Sequence, residues 1–263
     1  AITHFYLKNL VEKDSVALTY TTMAGDTLAS FKNSAKEKDK KLEIKKGGNT
    51  HVWDTRGKGA EKLDGMILWW ANLDGAKAVP GEYKVHLNVN GTSTSENFKI
   101  IPDPRAEVSV ADMQEQYEFV SEVNATVDKA HQSIKKIRKI TDQLDAFTEQ
   151  YADNPQTEDL AEKAKKMKGK FGQVEKALYQ TQNKSDQDPL NFPIRLTNKL
   201  GHLNSLVTLD DFPPTEQDVA VKKELTTKIN AQLKTFDALI SKEIQEFNSA
   251  FNSLKLNYLF VEN

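Results

Sequence analysis

The hydrophobic pattern of this chain changes period once, at Pro102-Asp103-Pro104-Arg105. Before that point apolar residues alternate with polar ones in short runs, as strands with one buried face require. After it they recur at steps of three and four, as amphipathic helices require. The two prolines stop the last strand and disfavour a helix directly before them, so the break is a joint. A chain patterned this way folds as a β part followed by a helical part. Its length of 263 residues suits two domains.

Several strands can be read directly. Ser15–Thr21 places Val16, Leu18 and Tyr20 on one face, and Thr27–Phe31 follows after an Ala24-Gly25-Asp26 turn. Lys41–Lys45 alternates, Gly47-Gly48-Asn49 turns the chain, and Asn49–Asp54 is extended again. Gly65–Trp70 is a continuous apolar run. Glu82–Val89 puts Tyr83, Val85, Leu87 and Val89 inward, and Asn90-Gly91 is a strong hairpin signal leading into Thr92–Ile101. Many short strands with regular turns predict an Ig-like or fibronectin-like β-sandwich over residues 1–104, without the cysteine pair of antibody domains.

Residues 105–263 predict an antiparallel long-helix bundle. Ser109–Asp112 is a capping box opening a helix from about 110 to 151. Asp153-Asn154-Pro155 ends it, and Thr157 starts a second helix striped by Leu160, Ala164, Met167, Phe171, Val174 and Leu178. A Pro-containing loop, Asn183–Pro193, precedes a third helix with Ile194, Leu196, Leu200, Leu203 and Leu206-Val207. Asp210–Pro214 ends that helix, and Thr215 caps a fourth that carries Val221, Leu225, Ile229, Leu233, Phe236, Ile240, Ile244, Phe247 and Phe251. Two packings fit these lengths: three rods with a broken middle helix, or four helices.

Composition excludes several function classes. The net charge of -2 is not that of a nucleic-acid binder. No cysteine is present, so disulfides, thiolate metal sites and a Cys nucleophile are excluded. No run approaches the roughly 18 apolar residues of a membrane helix. Ala1–Tyr6 is patterned as a strand and not as a signal peptide, which suggests a mature form or an excised domain.

Two stretches resemble known families. Val52-Trp53-Asp54-Thr55-Arg56 with Gly75–Tyr83 resembles the Ig-like domain of flagellar hook-capping proteins, also carried by many secreted bacterial enzymes. Asp103-Pro104-Arg105, Asp188–Leu200 and Pro213-Pro214-Thr215 resemble the C-terminal region of large bacterial proteins whose N-terminal part is a sortilin-like propeller of BNR (Asp-box) repeats, often labelled glycosyl hydrolase. The resemblance implies that this chain is the tail of a longer extracytoplasmic protein, periplasmic, cell-surface or secreted. Its partner would be the propeller of the same parent chain, with a protein or glycan ligand as a further one.

Nothing in the sequence spells a catalytic site. The Asp-box itself is absent, so glycosidase activity would reside in the missing propeller. The Asp and Glu residues sit mostly on polar helix faces beside lysines, and the Lys36–Lys46 run mixes both signs, as a solvated edge does. His4, His51, His86, His131 and His202 include no i,i+4 pair, so no zinc motif is formed; no phosphate loop or nucleophile elbow occurs. No cofactor or metal is expected. His86 falls out of phase with its strand's inward stripe and is expected outside; His131 and His202 could meet in the bundle, but a helix-surface or buried hydrogen-bonded role is the expectation for each. The residues singled out are Trp69 and Trp70. Neighbours on a strand would point to opposite faces, leaving one for a ligand or an interdomain contact, while Trp53 and the other fill the core. The expected function is a non-catalytic accessory and interaction tail, the sandwich a spacer and the bundle a docking or oligomerising element. The alternative is a carbohydrate-binding module attached to a glycoside hydrolase; hydrolysis by these residues themselves ranks last.

Overall fold

The computed structural model describes residues 1–256; the final stretch of the expected 105–263 domain lies outside the described residues. Six strands come first: β1 (Ile2–Leu7), β2 (Val16–Thr22), β3 (Thr27–Lys32), β4 (Gly47–Val52), β5 (Gly81–Val89) and β6 (Thr92–Ile100). The helices follow: α1 (Val110–Gln150), α2 (Glu158–Leu178), α3 (Leu196–Val207), α4 (Glu216–Leu239) and α5 (Gln245–Ser253). A π-helical turn, Ile240–Ile244, joins α4 to α5. The chain is therefore a β region followed by a helical region.

The chain divides into two compact units, each taking residues from both sides of the Pro102–Arg105 joint. One comprises Ala1–Ala60, Leu73–Asn124 and Val207–Thr215. The other comprises Glu61–Asn72, Ala125–Leu206 and, among the described residues, 216–256.

In the first unit β1 pairs antiparallel with β4, and a second antiparallel sheet has the order β3-β2-β5-β6. Alternation sets the register. Val16, Leu18 and Tyr20 stand opposite Val89, Leu87 and Val85, so apolar pairs share one face. The β5–β6 hairpin turns on Asn90 (φ 51°) and Gly91 (φ 89°), the positive dihedrals of a tight primed turn. Asn90 also accepts from the Ser15 N–H and donates to Asp14, which fixes the turn against the start of β2.

The core of this unit draws on both sheets: Leu7, Val16, Leu18, Tyr20, Leu28, Leu42, Trp53 and Ala78 are buried together. Trp53 is 1% exposed and lies 4.4 Å from the Tyr20 ring at 22°. Its indole N–H donates to the Arg56 carbonyl at 2.9 Å, so the one polar atom of the side chain is satisfied. The two stretches that carry the hook-cap resemblance run side by side. Gly57 N–H donates to Ala76 O and Ala78 N–H to Thr55 O. Gly75 permits this approach, because a Cβ there would fall 1.9 Å from the Gly57 oxygen.

Three expectations change here. Lys41–Lys45 forms no strand; Lys41 makes a single parallel bridge to Lys32, while Leu42 is buried. Gly65–Trp70 forms no strand either: Gly65 (φ 64°) and Trp70 (φ 47°) break the extended backbone. An apolar run without periodicity can be buried against helices as readily as within a sheet. His86 keeps its place opposite Thr19, out of phase with Val85 and Leu87, but is half-buried there and hydrogen-bonds the buried Thr21 hydroxyl at 3.1 Å.

In the second unit the helices pair through ladders of opposite direction. Along α1 and α2, Arg138 meets Glu175 and Lys168 meets Asp145, so residue numbers rise on one helix as they fall on the other. Along α2 and the α4–α5 rod, Lys163 meets Glu246, Lys170 meets Glu243 and Phe171 packs on Phe236. Both pairs are therefore antiparallel. The buried stripe of α2 is the one that the sequence sets out, Leu160, Ala164, Met167, Phe171, Val174 and Leu178; on α1 Val127, Ala130, Ile134, Ile137 and Leu144 are buried, whereas Leu206 of α3 and Val221 of α4, which fit their stripes, are exposed. The capping box at the start of α1 is formed reciprocally. Asp112 N–H donates to Ser109 Oγ at 3.1 Å, and Ser109 N–H donates to Asp112 Oδ2 at 3.0 Å.

Candidate functional site

Glu61–Asn72, read from the sequence with the β region, is an irregular strap belonging to the second unit. A segment without secondary structure must find partners for its main-chain groups elsewhere. Side chains on α1 and α3, and Tyr179 just past the end of α2, supply them. At the strap's start, Glu61 N–H donates to Asp128 Oδ1, Glu61 O accepts from His131 Nδ1, and the Glu61 carboxylate pairs with Lys135. Ile67 N–H then donates to the Tyr179 hydroxyl at 2.9 Å.

At the tryptophans the strap is bound on both sides of the peptide. Trp69 N–H donates to Asn198 Oδ1 at 2.7 Å, and Asn198 Nδ2 returns a bond to Trp69 O at 2.8 Å. Trp70 O accepts from His202 Nδ1 at 2.8 Å and from Ser205 Oγ at 2.9 Å. Asn72 N–H donates to Gly201 O at 3.0 Å, which brings the strap close to α3 at a residue without a side chain. Four residues of one helix face, at spacings of three and four, thus hold consecutive peptides.

This arrangement displays Trp70. The residue is 72% exposed, and its backbone sits in the left-handed region at φ 47°. For a bulky residue that conformation costs about 1–3 kcal/mol and persists only where neighbours over-determine it. The indoles of Trp69 and Trp70 are near-parallel, 5.8 Å apart at 7°, and the His202 ring lies 6.5 Å from Trp70 at 27°. The expectation of opposite-facing tryptophans on a strand is thereby corrected. Away from a pleated strand, nothing forces successive side chains apart, so both belong to one aromatic group on the second unit. Trp53 fills the β core and neither of the pair joins it. His131 and His202 do not meet: each takes the hydrogen-bonded role expected of it, His131 buried against Glu61 O and His202 against Trp70 O, at different parts of the strap.

His131 is fully buried. A carbonyl can only accept, so the Glu61 oxygen fixes the proton on Nδ1 and leaves Nε2 as a buried acceptor with no hydrogen-bond partner among the described residues. Burial holds its pKa below the usual histidine range; the Glu61 bond and the carboxylates of Asp128 and Glu61 act in the opposite direction, and Lys135 adds to the depression. An unfolded chain therefore takes up this proton near pH 6.5 while the folded one resists it, and stability falls as pH drops below about 6.5. The expected slope from this group is at most about 1.4 kcal/mol per pH unit. Urea unfolding followed by helical circular dichroism between about pH 7.5 and 5.5 measures it. The non-titrating His131→Asn protein should be less stable at the upper end and lose that part of the slope. An unchanged slope in the variant would remove His131 from the account.

A second concentration of polar groups lies in the first unit. Asp54, Arg56, Lys77, Gln116 and Thr208–Asp211 line an open cleft of about 280 Å³. Its carboxylates are engaged in holding loops: Asp54 Oδ1 accepts from Arg56 N–H, Asp210 Oδ1 from Phe212 N–H, and Asp211 pairs with Lys77 at 2.9 Å. Gln116, nearly buried, directs its amide nitrogen at the carbonyls of Val207, Asp210 and Phe212. Two N–H groups serve three oxygens, so one bond is shared, and the 207–212 turn is fastened to α1. These bonds build the cleft's walls; they do not orient an acid against a base. Among the described residues no group of three or more His, Asp or Glu side chains could hold a metal, and no helix is long and apolar enough to cross a membrane.

The sequence reading singled out Trp69 and Trp70 but missed Asn198, His202 and Ser205. The available signal was a stripe of uncharged polar residues on α3, Asn198–His202–Ser205, beside the apolar stripe Leu196–Leu200–Leu203–Val207. No family model, no curated protein and no solved structure matches this chain.

Proposed function

We propose that this chain is a non-catalytic accessory and interaction module, the C-terminal part of a larger extracytoplasmic propeller protein. In this reading an Ig-like β-sandwich is a spacer and an antiparallel long-helix bundle is the docking or oligomerising element. The observation that carries it is the strap at Glu61–Asn72. Side-chain bonds from α3 are invested in displaying an exposed indole, which serves recognition and not a reaction. The carboxylates of the polar cleft support the same reading, since each accepts a bond that holds a loop. The propeller parent rests on the resemblance of Asp188–Leu200 and its flanking motifs.

Two measurements test the two halves of the proposal. The genomic reading frame upstream of Ala1 should encode tandem Asp-box repeats; a frame encoding anything else overturns the parent. Incubation of the chain with chromogenic glycosides and peptides should release no product above a heat-denatured control. Turnover that scales with protein concentration overturns the non-catalytic reading.

A further inference from the structure

We infer that Trp70, backed by Trp69, is the stacking platform of a saccharide site that takes the flat face of a β-linked pyranose. The inference rests on the non-catalytic reading and names the ligand class of the displayed strap. Its first support is cost. A tryptophan 72% exposed at φ 47° adds no core packing and strains the backbone, yet Asn198, His202 and Ser205 all bond the peptides around it. Bonds placed on the main chain fix where a side chain projects. They therefore pre-organise the indole, which lowers the entropy lost when a ligand settles on it.

Size and charge decide the ligand. One indole offers on the order of 150–250 Å². A stable protein interface needs about 800 Å² from each partner. Among the described residues, the other well-exposed large apolar residues of this unit, Leu190, Leu206, Val219 and Val221, lie on different elements from the strap. The platform is thus the size of one or two sugar rings. A nucleobase would also stack, but it brings phosphates, and affinity for these comes from Lys and Arg. No Asp, Glu, Lys or Arg occurs from Met66 to Asn72 or among the α3 residues that bond Trp69, Trp70 and Asn72. An uncharged aromatic face with neutral polar groups around it matches a neutral sugar. The axial C–H bonds of an equatorially linked pyranose point at the negative face of the ring, and its hydroxyls reach the polar surround.

The test titrates cellohexaose and chitohexaose into the 263-residue chain by calorimetry and tryptophan fluorescence, with product analysis of each mixture. At least one sugar should bind and shift the indole emission. Trp70→Ala should weaken that binding by about tenfold or more, and Trp70→Phe by less, with the thermal transition of both variants kept. Binding that Trp70→Ala leaves unchanged overturns the inference. So does an absence of binding by both sugars up to about 10 mM. Trp70-dependent self-association without sugar binding also overturns it and assigns the platform to a second copy. Shortened oligosaccharides together with Trp70-dependent binding would uphold the site while overturning the non-catalytic reading, so the two failures are distinguishable.

Discussion

Trp53→Ala should destabilise the β-sheet unit by about 3–5 kcal/mol, whereas Trp70→Ala, the same chemical change, should cost within about 0.5 kcal/mol. Trp53 is 1% exposed and stacks on Tyr20 while Phe98 meets it edge-on at 6.4 Å. Truncation removes the transfer free energy of the largest side chain and leaves a cavity between rings that cannot all close on it. It also strips the Arg56 carbonyl of its indole donor. A small domain has only about 5–15 kcal/mol in total, so much of the β unit's stability goes with one side chain. Trp70 meets none of these conditions, since most of its surface already faces water. Urea unfolding of the two variants, followed by near-ultraviolet circular dichroism, makes the comparison. Equal losses would show that Trp53 is not the centre of that core.

The contrast between these tryptophans also marks what could be read from the sequence. Trp53 sits at the end of a strand bounded by turns, and its neighbours Val16, Leu18 and Tyr20 alternate cleanly, so its core position follows from local pattern. The Asn90-Gly91 turn and the Ser109–Asp112 cap are equally local, because each rests on dihedrals or bonds within four residues. The α2 stripe follows from period alone, whereas Leu206 and Val221 fit their helices' periods and are still exposed. The strap does not. Met66-Ile67-Leu68-Trp69-Trp70 has no period, and its partners Tyr179, Asn198, His202 and Ser205 are more than a hundred residues away. What decides its conformation is the hydrogen-bond demand of its own backbone, and no short window contains the groups that meet it. Trp69 and Trp70 stood out as residues, while the geometry that gives them meaning came from α3.

Asn198→Ala should therefore cost the helical unit about 2–3 kcal/mol and loosen the strap, although no apolar packing is lost. Asn198 is 4% exposed, and its amide binds both main-chain groups of Trp69. That pairing fixes the amide's orientation, since the peptide N–H demands the oxygen and the carbonyl demands the nitrogen. Alanine leaves one donor and one acceptor without partners beside a buried helix face. Asn198→Asp is the sharper variant. It keeps the bond from Trp69 N–H but sets a second oxygen against the Trp69 carbonyl, so an attraction becomes a repulsion and a charge is placed at a buried position. Aspartate should destabilise at least as much as alanine despite its matching shape. Thermal unfolding gives the order of the variants, and amide exchange at residues 66–72 shows whether the loss is local to the strap. If the Asn198→Asp protein were as stable as the parent, the reciprocal amide bond would not be what holds Trp69. If both variants kept the strap's exchange protection, the fixed display of Trp70 would have to come from His202 and Ser205 alone. Saccharide affinity should fall in Asn198→Ala even though Trp70 is intact, because an indole on a loosened strap must be ordered again each time a ring settles on it.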